Sequence, residues 1–388
     1  MIAALTAAER GARVVLDEAA PPVFRGGNTR HSRNLRLAHV APTAFQPGAY
    51  PVDEFAADVA RASDGAGDPA LISVLAEGSV EIADLLARHG VVFQTREVPP
   101  SRKTAFFLGG GRSAINALWR AAERAGVILR TDRRVVSLSA RGVKSAAVIA
   151  ACGGAQSDLS HGFVDRGSPF VTGEILHDLL ADGARSGGEA GAHHLVAVDA
   201  RSPDHDGGIV TRVDRLDLGM VVDPHGRRFA EESAERGPTR YALWGRRIAA
   251  LPGRFALLVL DAEGRAAMPP TVWPPLCFET LAELADAFSL DPAALAASAE
   301  ACGRVRRPPF FVVPMRPGTA FGGLGVAVDA RARVVNRDGT IRPGVFAAGM
   351  IMAAGVIGTG YVSGVALTIG AVFGRIAGEE AARHALGR

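Results

Sequence analysis

The pattern of apolar and polar positions divides the chain into short, well-punctuated elements. IAALTAAERG at the amino end, closed by Gly11, predicts a helix of about two to three turns. ARVVLDE follows, an apolar run ending in acid, which predicts a buried parallel strand tipped by Glu18. Residues 53 to 93 carry the spacing of two or three amphipathic helices and end in LLARHGVVF. FFLGGGRSAINALWRAAERAGV, residues 106 to 127, passes from an apolar run through three glycines into a helix. RVVSL then reads as a strand, and KSAAVIAACGG, residues 144 to 154, as a buried strand closed by two glycines. The segment between these last two strands is short, so any hairpin there is clipped.

From 191 to 318 the texture changes. HHLVAVDA, LGMVVDPHG and FALLVLDA read as strands among polar loops, and TLAELADAFSL and DPAALAASAEACG as helices. The last 70 residues return to alternating glycine and apolar texture. NRDGT is a hairpin-type turn, PGVFAAG a strand, and VALTIGAVFGRIAGEEAARHAL a helix. Helix, strand, then Glu18 has the form of the second half of a βαβ nucleotide-binding unit, in which such an acid binds ribose hydroxyls. The first strand and GxGxxG turn of that unit should precede residue 1, and a start assigned too far downstream is the expectation. The fold class expected is α/β: a Rossmann-like dinucleotide-binding domain without its first strand and glycine turn, carrying an inserted α+β capping domain. The expected boundaries are residues 1–190 and 319–388 for the binding domain and 191–318 for the cap.

Composition sharpens this outline at few points. The chain has 46 glycines among 388 residues, where average usage would give roughly 27. They follow no G-X-Y period, which excludes collagen and points to tight turns and close backbone approaches. With 43 basic against 40 acidic residues the charge is nearly balanced, and no basic stripe supports a nucleic-acid partner. Lys103 and Lys144 are the only lysines; every other basic residue is arginine. Cys152, Cys277 and Cys302 are far apart and lack metal-site spacing. No apolar run of about 20 residues is present, so a soluble, cytoplasmic protein is expected.

Two clusters carry chemistry. In RGGNTRHSRN, Gly26 and Gly27 let consecutive N–H groups converge on an anion, and Asn28 and Thr29 add side-chain donors. Arg25, Arg30, His31 and Arg33 surround them, and following an acid-tipped strand the cluster reads as a dinucleotide cradle. At the other end PGVFAAG and SGVALTIG place Gly349 at a strand end and Gly364, Val365 and Ala366 at a helix start. N–H groups so placed suit the negative charge of a reduced flavin.

RGGNTRHSRNLR, FFLGGGRSAINAL, AACGG, IVTRVDRLDLGMVVDPHGRRFAEE, DARARVVNRDGTIRPGVFAAG and GTGYVSGVALTIGAVFGRIAG are similar, in order, to the flavoprotein subunits of the fumarate reductase and succinate dehydrogenase superfamily. Within it the chain most resembles the FAD-dependent tricarballylate dehydrogenases, which share GGNxRHxRN and GTGY. The resemblance implies FAD bound by the residues named above with Gly153. Asn28 stands where covalently flavinylated relatives carry their linking histidine, so the FAD is expected to be non-covalent. Met350 follows FAAG where many relatives have a glutamate.

Desaturating a carbon pair flanked by carboxylates needs a hydride acceptor, a proton acceptor on the adjacent carbon and fixed cations. By resemblance the hydride goes to flavin N5, Arg215 stands where fumarate-reducing relatives use an arginine as proton donor, and His194 falls near their carboxylate-binding histidine. Tyr361, in GTGYVSG, occupies a position that is tyrosine in 3-ketosteroid dehydrogenases and arginine in fumarate reductases. TAFGGLG replaces a second family histidine around Ala320 and Phe321, which argues against fumarate, while Arg33 and Arg316 are candidate carboxylate clamps. The function expected is desaturation of a tricarboxylate such as tricarballylate to a cis-aconitate-like product. Partners would be the small polycarboxylate and a membrane-associated electron carrier, since no metal motif is present. Alternatives are a 3-ketosteroid-dehydrogenase-like flavoenzyme or an N-terminally truncated, non-catalytic form.

Overall fold

The computed structural model describes residues 1–95, 101–138, 145–234, 240–358 and 360–388. Lys144 of the KSAAVIAACGG reading, the clipped connection before it and Thr359 of GTGY lie outside the described residues. The chain forms two units: one of residues 1–158, 167–194 and 321–388, the other of residues 159–166 and 195–320.

In the first unit, IAALTAAERG forms the helix Ile2–Glu9, and Gly11 (φ +89°) ends it. The helix, with Ala3, Ala4 and Leu5 buried, packs on the last helix, Val365–Ala385. Gly378 makes that packing close, because a Cβ there would stand 2.5 Å from the Ala3 carbonyl oxygen. Strand Val15–Asp17 pairs in parallel with Ile128–Arg130. It is parallel as expected but not buried: Val15 is 47% and Ile128 50% exposed, since the two strands form a sheet of their own. Strand Val148–Ala150 runs parallel to Ile341–Ala347, which returns against Arg333–Val335 through the NRDGT turn. Gly339 (φ +85°) and the Asp338 carboxylate, accepting from Thr340 N–H, close that turn.

The RVVSL strand is not formed. Ser137 Oγ and the Leu138 N–H instead donate to the two carboxylate oxygens of Asp178, at 2.7 and 2.8 Å. A side chain, not a neighbouring strand, meets the backbone at Leu138. The region 53–93 gives three helices, Val52–Ala62, Pro69–Gly78 and Ile82–Arg88.

The second unit is organised on strand Ala256–Leu260, whose five residues are all buried. It lies between Met220–Val222 and the first part of Phe310–Val326, antiparallel to both. Leu258 and Leu260 pack with Trp244 and Ile248 on one face, Leu257 and Val259 with Leu284 and Leu295 on the other. Two covered faces explain the unbroken apolar run of FALLVL. The helices on the second face are capped by side chains: Thr280 and Glu283 form a capping box, and Asp291 accepts from Ala293 and Ala294 N–H before Pro292–Cys302. Buried Glu232 accepts from Val221 N–H at 2.7 Å and is paired with Arg304 at 2.8 Å and with Arg228.

Among the described residues no helix is long and apolar enough to cross a membrane. The Gly378 contact gives a direct test: Gly378→Ala forces the two helices apart and should lower stability by about 1–3 kcal/mol. Urea denaturation followed by far-UV circular dichroism measures it, with an unchanged m-value if the fold is kept.

Candidate active site

Glu18 follows strand Val15–Asp17 and turns its carboxylate back on its own chain. Ala20 N–H donates to one oxygen and Gly26 N–H to the other, each at 3.0 Å. A carboxylate has about four acceptor sites, so it can still take ligand hydroxyls. Gly26 (φ +98°) packs on Ile115, while Gly27 (φ +53°) has nothing within 4 Å of where a Cβ would be. Asn28 clamps the chain, its Oδ1 accepting from Ser168 N–H at 2.7 Å above Gly167. Thr29 gives its carbonyl to Ser32 N–H, and the same oxygen would stand 1.8 Å from a Cβ on Gly111.

The other cradle residues lie in the same unit. Gly349 (φ +78°) and Gly370 face each other across bare backbone, a Cβ on either having only the other's Cα within 4 Å. Gly153 (φ +83°) meets Val171 instead, at 2.7 Å from a would-be Cβ, so the protein itself accounts for that glycine. Gly364 (φ +84°) is the N-cap of helix Val365–Ala385. The Val365 N–H is taken by the Val362 carbonyl at 3.1 Å, so of the two predicted groups the Ala366 N–H is the one that opens the first turn, where no intrahelical acceptor exists.

That helix start is fixed by a buried guanidinium which sequence reasoning missed. Arg36, at the end of strand Asn34–Arg36, donates from Nε to the Ser363 carbonyl at 3.1 Å. Its Nη1 donates to Tyr50 Oη at 2.6 Å and Asp58 Oδ2 at 2.9 Å. Its backbone N–H reaches Thr368 Oγ1 at 3.0 Å, and Thr368 Oγ1 donates back to the Arg36 carbonyl at 2.6 Å. Lys103 Nζ bridges Asp58 at 2.6 Å and Glu54 at 2.9 Å. Burial alone would raise the Asp58 carboxyl; hydrogen bonds from Lys103 and Tyr50 outweigh it and hold the group below its ordinary value. Hydrogen bonds from Arg102 and Lys103 lower Glu54 to about 2, whereas burial raises Tyr50 far above an ordinary phenol. One local hint existed: Lys103 is one of two lysines in the chain.

Two of the three predicted catalytic residues meet in this unit. The Tyr361 ring lies 4.6 Å from His194 and 5.5 Å from Phe321. His194 and Phe321 stack at 5.0 Å with their planes 9° apart. His194 is 6% exposed and Tyr361 half-buried. Tyr361 precedes by two residues the Ser363 carbonyl that Arg36 holds. Arg33 is exposed and lies over the Phe106 ring at 5.9 Å. The remaining two candidates belong to the other unit. Arg215 (φ +60°) pairs through Nε with Asp217 at 3.1 Å. Arg316 donates to the Ser202 carbonyl at 2.7 Å and pairs with Asp204 at 3.1 Å.

Residues 116–367 match the family described as the FAD binding domain. The chain belongs to that family. It is 25% identical over 447 aligned positions to a fumarate reductase (cytochrome) of Shewanella frigidimarina, covering 98% of this chain and 75% of the relative. A urocanate reductase of Eggerthella lenta is 26% identical, with 98% and 72% covered. Among solved structures, the open conformation of a flavocytochrome c3 fumarate reductase superposes with a TM-score of 0.77 at 23% identity, covering 99% of this chain and 76% of that one. The 3-ketosteroid Δ1-dehydrogenase of Sterolibacterium denitrificans gives 0.77 at 15% identity, covering 98% and 97%. These likenesses give the FAD-binding family member an α/β flavoprotein fold. It is an FAD-dependent oxidoreductase acting on CH–CH bonds.

The residues present fit FAD. The open backbone at Gly27 leaves room where a ligand can approach main chain, and the first turn of helix Val365–Ala385 presents the Ala366 N–H. Glu18 retains acceptors for ribose hydroxyls.

The network around Arg36 generates a stability test. Asp58→Asn leaves Arg36 and Lys103 without their shared charge and should cost about 3–5 kcal/mol near neutral pH. Because the Asp58 carboxyl is lowered in the folded state, its contribution is complete above the ordinary carboxylate range and disappears as pH falls through the lowered value. Urea midpoints of wild type and variant should therefore converge on acidification, and parallel curves across the acid range would contradict the assignment.

Proposed function

We propose that the protein desaturates a small tricarboxylate such as tricarballylate, giving a cis-aconitate-like alkene. The observation that carries this reading is the packing of Tyr361 on buried His194 in the loop leading into helix Val365–Ala385. FAD, bound without a covalent link since Asn28 holds the linking position, supplies the hydride acceptor. Glu18, Arg25, Gly26, Gly27, Thr29, Gly349 and the first turn of the last helix would hold it. Tyr361, acting as the phenolate, accepts at Oη the proton from the carbon beside the one that loses hydride and becomes the phenol, and the C–H bonding pair it leaves behind becomes the new π bond. His194, braced between Phe321 and Tyr361, orients the tyrosine ring and binds a substrate carboxylate. Arg33, in the same unit, supplies a cation for a substrate carboxylate. The electrons leave to a membrane-associated carrier, and the protein works from the cytoplasm.

A second reading, a 3-ketosteroid dehydrogenase, is favoured by the same three rings. His194, Phe321 and Tyr361 offer an aromatic surface suited to an apolar skeleton.

Reduction of an artificial electron acceptor by the FAD-loaded protein separates the two readings. Tricarballylate should support turnover and a panel of 3-ketosteroids should not; the reverse result transfers the assignment to the steroid class. Tyr361→Phe should lower kcat by about 10²–10⁴ with flavin absorbance unchanged, and unchanged turnover would remove Tyr361 from the chemistry.

A further inference from the structure

Strand Asn34–Arg36 grips one residue of the Tyr361 loop twice. Successive side chains of a strand point to opposite faces, so Asn34 and Arg36 share one face, and both reach Ser363. Arg36 Nε donates to its carbonyl at 3.1 Å, and Asn34 Nδ2 donates to its hydroxyl oxygen at 3.3 Å. Both strand residues are buried, whereas Ser363 is exposed.

The two bonds have different uses. The main chain at this point is held without Asn34: besides the Ser363 carbonyl bond, the Arg36 N–H meets the Gly364 carbonyl at 3.3 Å and Thr368 Oγ1 at 3.0 Å. What the Asn34 amide adds is an orientation. A hydroxyl has one hydrogen to give and two lone pairs, and with a lone pair facing Asn34 the hydrogen turns away from the strand. Among the described residues nothing accepts it. A buried amide engaged in aiming an exposed hydroxyl points to an acceptor outside the chain. Ser363 follows Tyr361 by two residues in one loop, so their Cα atoms are at most about 7.6 Å apart. The aimed hydroxyl is therefore next to the ring that meets buried His194.

We propose that the Ser363 hydroxyl donates to the carboxylate carried by the carbon that Tyr361 deprotonates, an assignment that rests on the tricarboxylate reading above. As that proton leaves, negative charge spreads from the carbon onto its carboxylate oxygens. A donor fixed beforehand stabilises this charge without having to reorient. No bond to Ser363 forms or breaks, and its own proton stays on Oγ. Asn34 acts through the serine and is a positioning residue.

Turnover of tricarballylate by the FAD-loaded protein and calorimetric titration of the same compound test the assignment. Ser363→Ala should weaken binding and lower kcat/KM by about ten- to a hundredfold, the worth of a hydrogen bond to a charged group. Ser363→Thr, which keeps a hydroxyl, should restore most of the loss. Thermal melts and affinity for FAD should match wild type in both. Asn34→Ala should lower kcat/KM less, and combined with Ser363→Ala no further than Ser363→Ala alone, because the amide works through the hydroxyl. Ser363 is exposed, so its variants decide the matter even where Asn34→Ala lowers the melt. Wild-type turnover and binding by Ser363→Ala overturn the proposal and leave the tricarboxylate reading standing. Weakened FAD affinity in Ser363→Ala gives the hydroxyl to the cofactor and overturns it too. A wild-type protein that neither binds nor turns over tricarballylate overturns the reading and this assignment with it.

Discussion

The first unit depends on one charge taken out of water. Arg36 is 7% exposed, and an ion buried to that extent costs several kcal/mol unless its donors are met. They are met by three separate stretches of chain: Tyr50, Asp58 of helix Val52–Ala62, and the Ser363 carbonyl. Any rearrangement that moves one of these groups leaves a buried donor unpaired, so the strand, the helix and the loop before the last helix hold one geometry together. Steric exclusion reinforces it, since a Cβ on Gly364 would stand 2.7 Å from the Arg36 backbone nitrogen. The last helix can begin at Val365 because the residue before it is glycine and the guanidinium beneath it is paired.

The glycine surplus divides into two physical classes. At Gly26, Gly111, Gly364 and Gly378 the space a side chain would need is already filled by the protein's own atoms. These glycines allow one segment to lie against another. At Gly27 the space is open, so bare backbone is offered to something other than the chain, while Gly349 and Gly370 lie in ordinary contact with each other. Gly153, which sequence reading groups with the second class, falls in the first because Val171 occupies the position. Composition counts both kinds alike; only the packing around each separates them.

Elements whose boundaries are set by local chemistry were legible in the sequence. Gly11 after IAALTAAER, Asp291 before a proline-led helix, and NRDGT between two β-branched runs each act within a few residues of themselves. RVVSL failed because a strand needs a neighbour, and what meets its backbone is the Asp178 carboxylate, 40 residues away. The site divides in the same manner. Tyr361 and His194 were recognisable singly as chemistry-bearing residues, but their contact joins positions far apart in sequence. Arg36 was invisible for a related reason: NLRLA alternates like an ordinary strand, and nothing local tells that its arginine points inward at an aspartate contributed by a later helix.

Lys103 shows why the network cannot be divided into pairs. The chain uses arginine almost throughout, yet here an ammonium reaches Asp58 and Glu54 at once while lying 5.1 Å from the Tyr50 ring. Arg36 and Arg102 lie near the same ring, at 5.4 and 5.7 Å. A guanidinium is planar and forks toward one carboxylate, whereas an ammonium is a compact charge whose three donors can be shared between two. Three cations about one ring repel each other unless the two carboxylates lie between them. Tyr50, deprived of water, stays a neutral phenol that accepts from Arg36 and donates to Asp58 at 2.8 Å. Removing any one of these groups therefore changes the charge balance seen by the others, so single substitutions in the network will not add. The Ser363 carbonyl, and with it the loop that carries Tyr361, answers to the whole set.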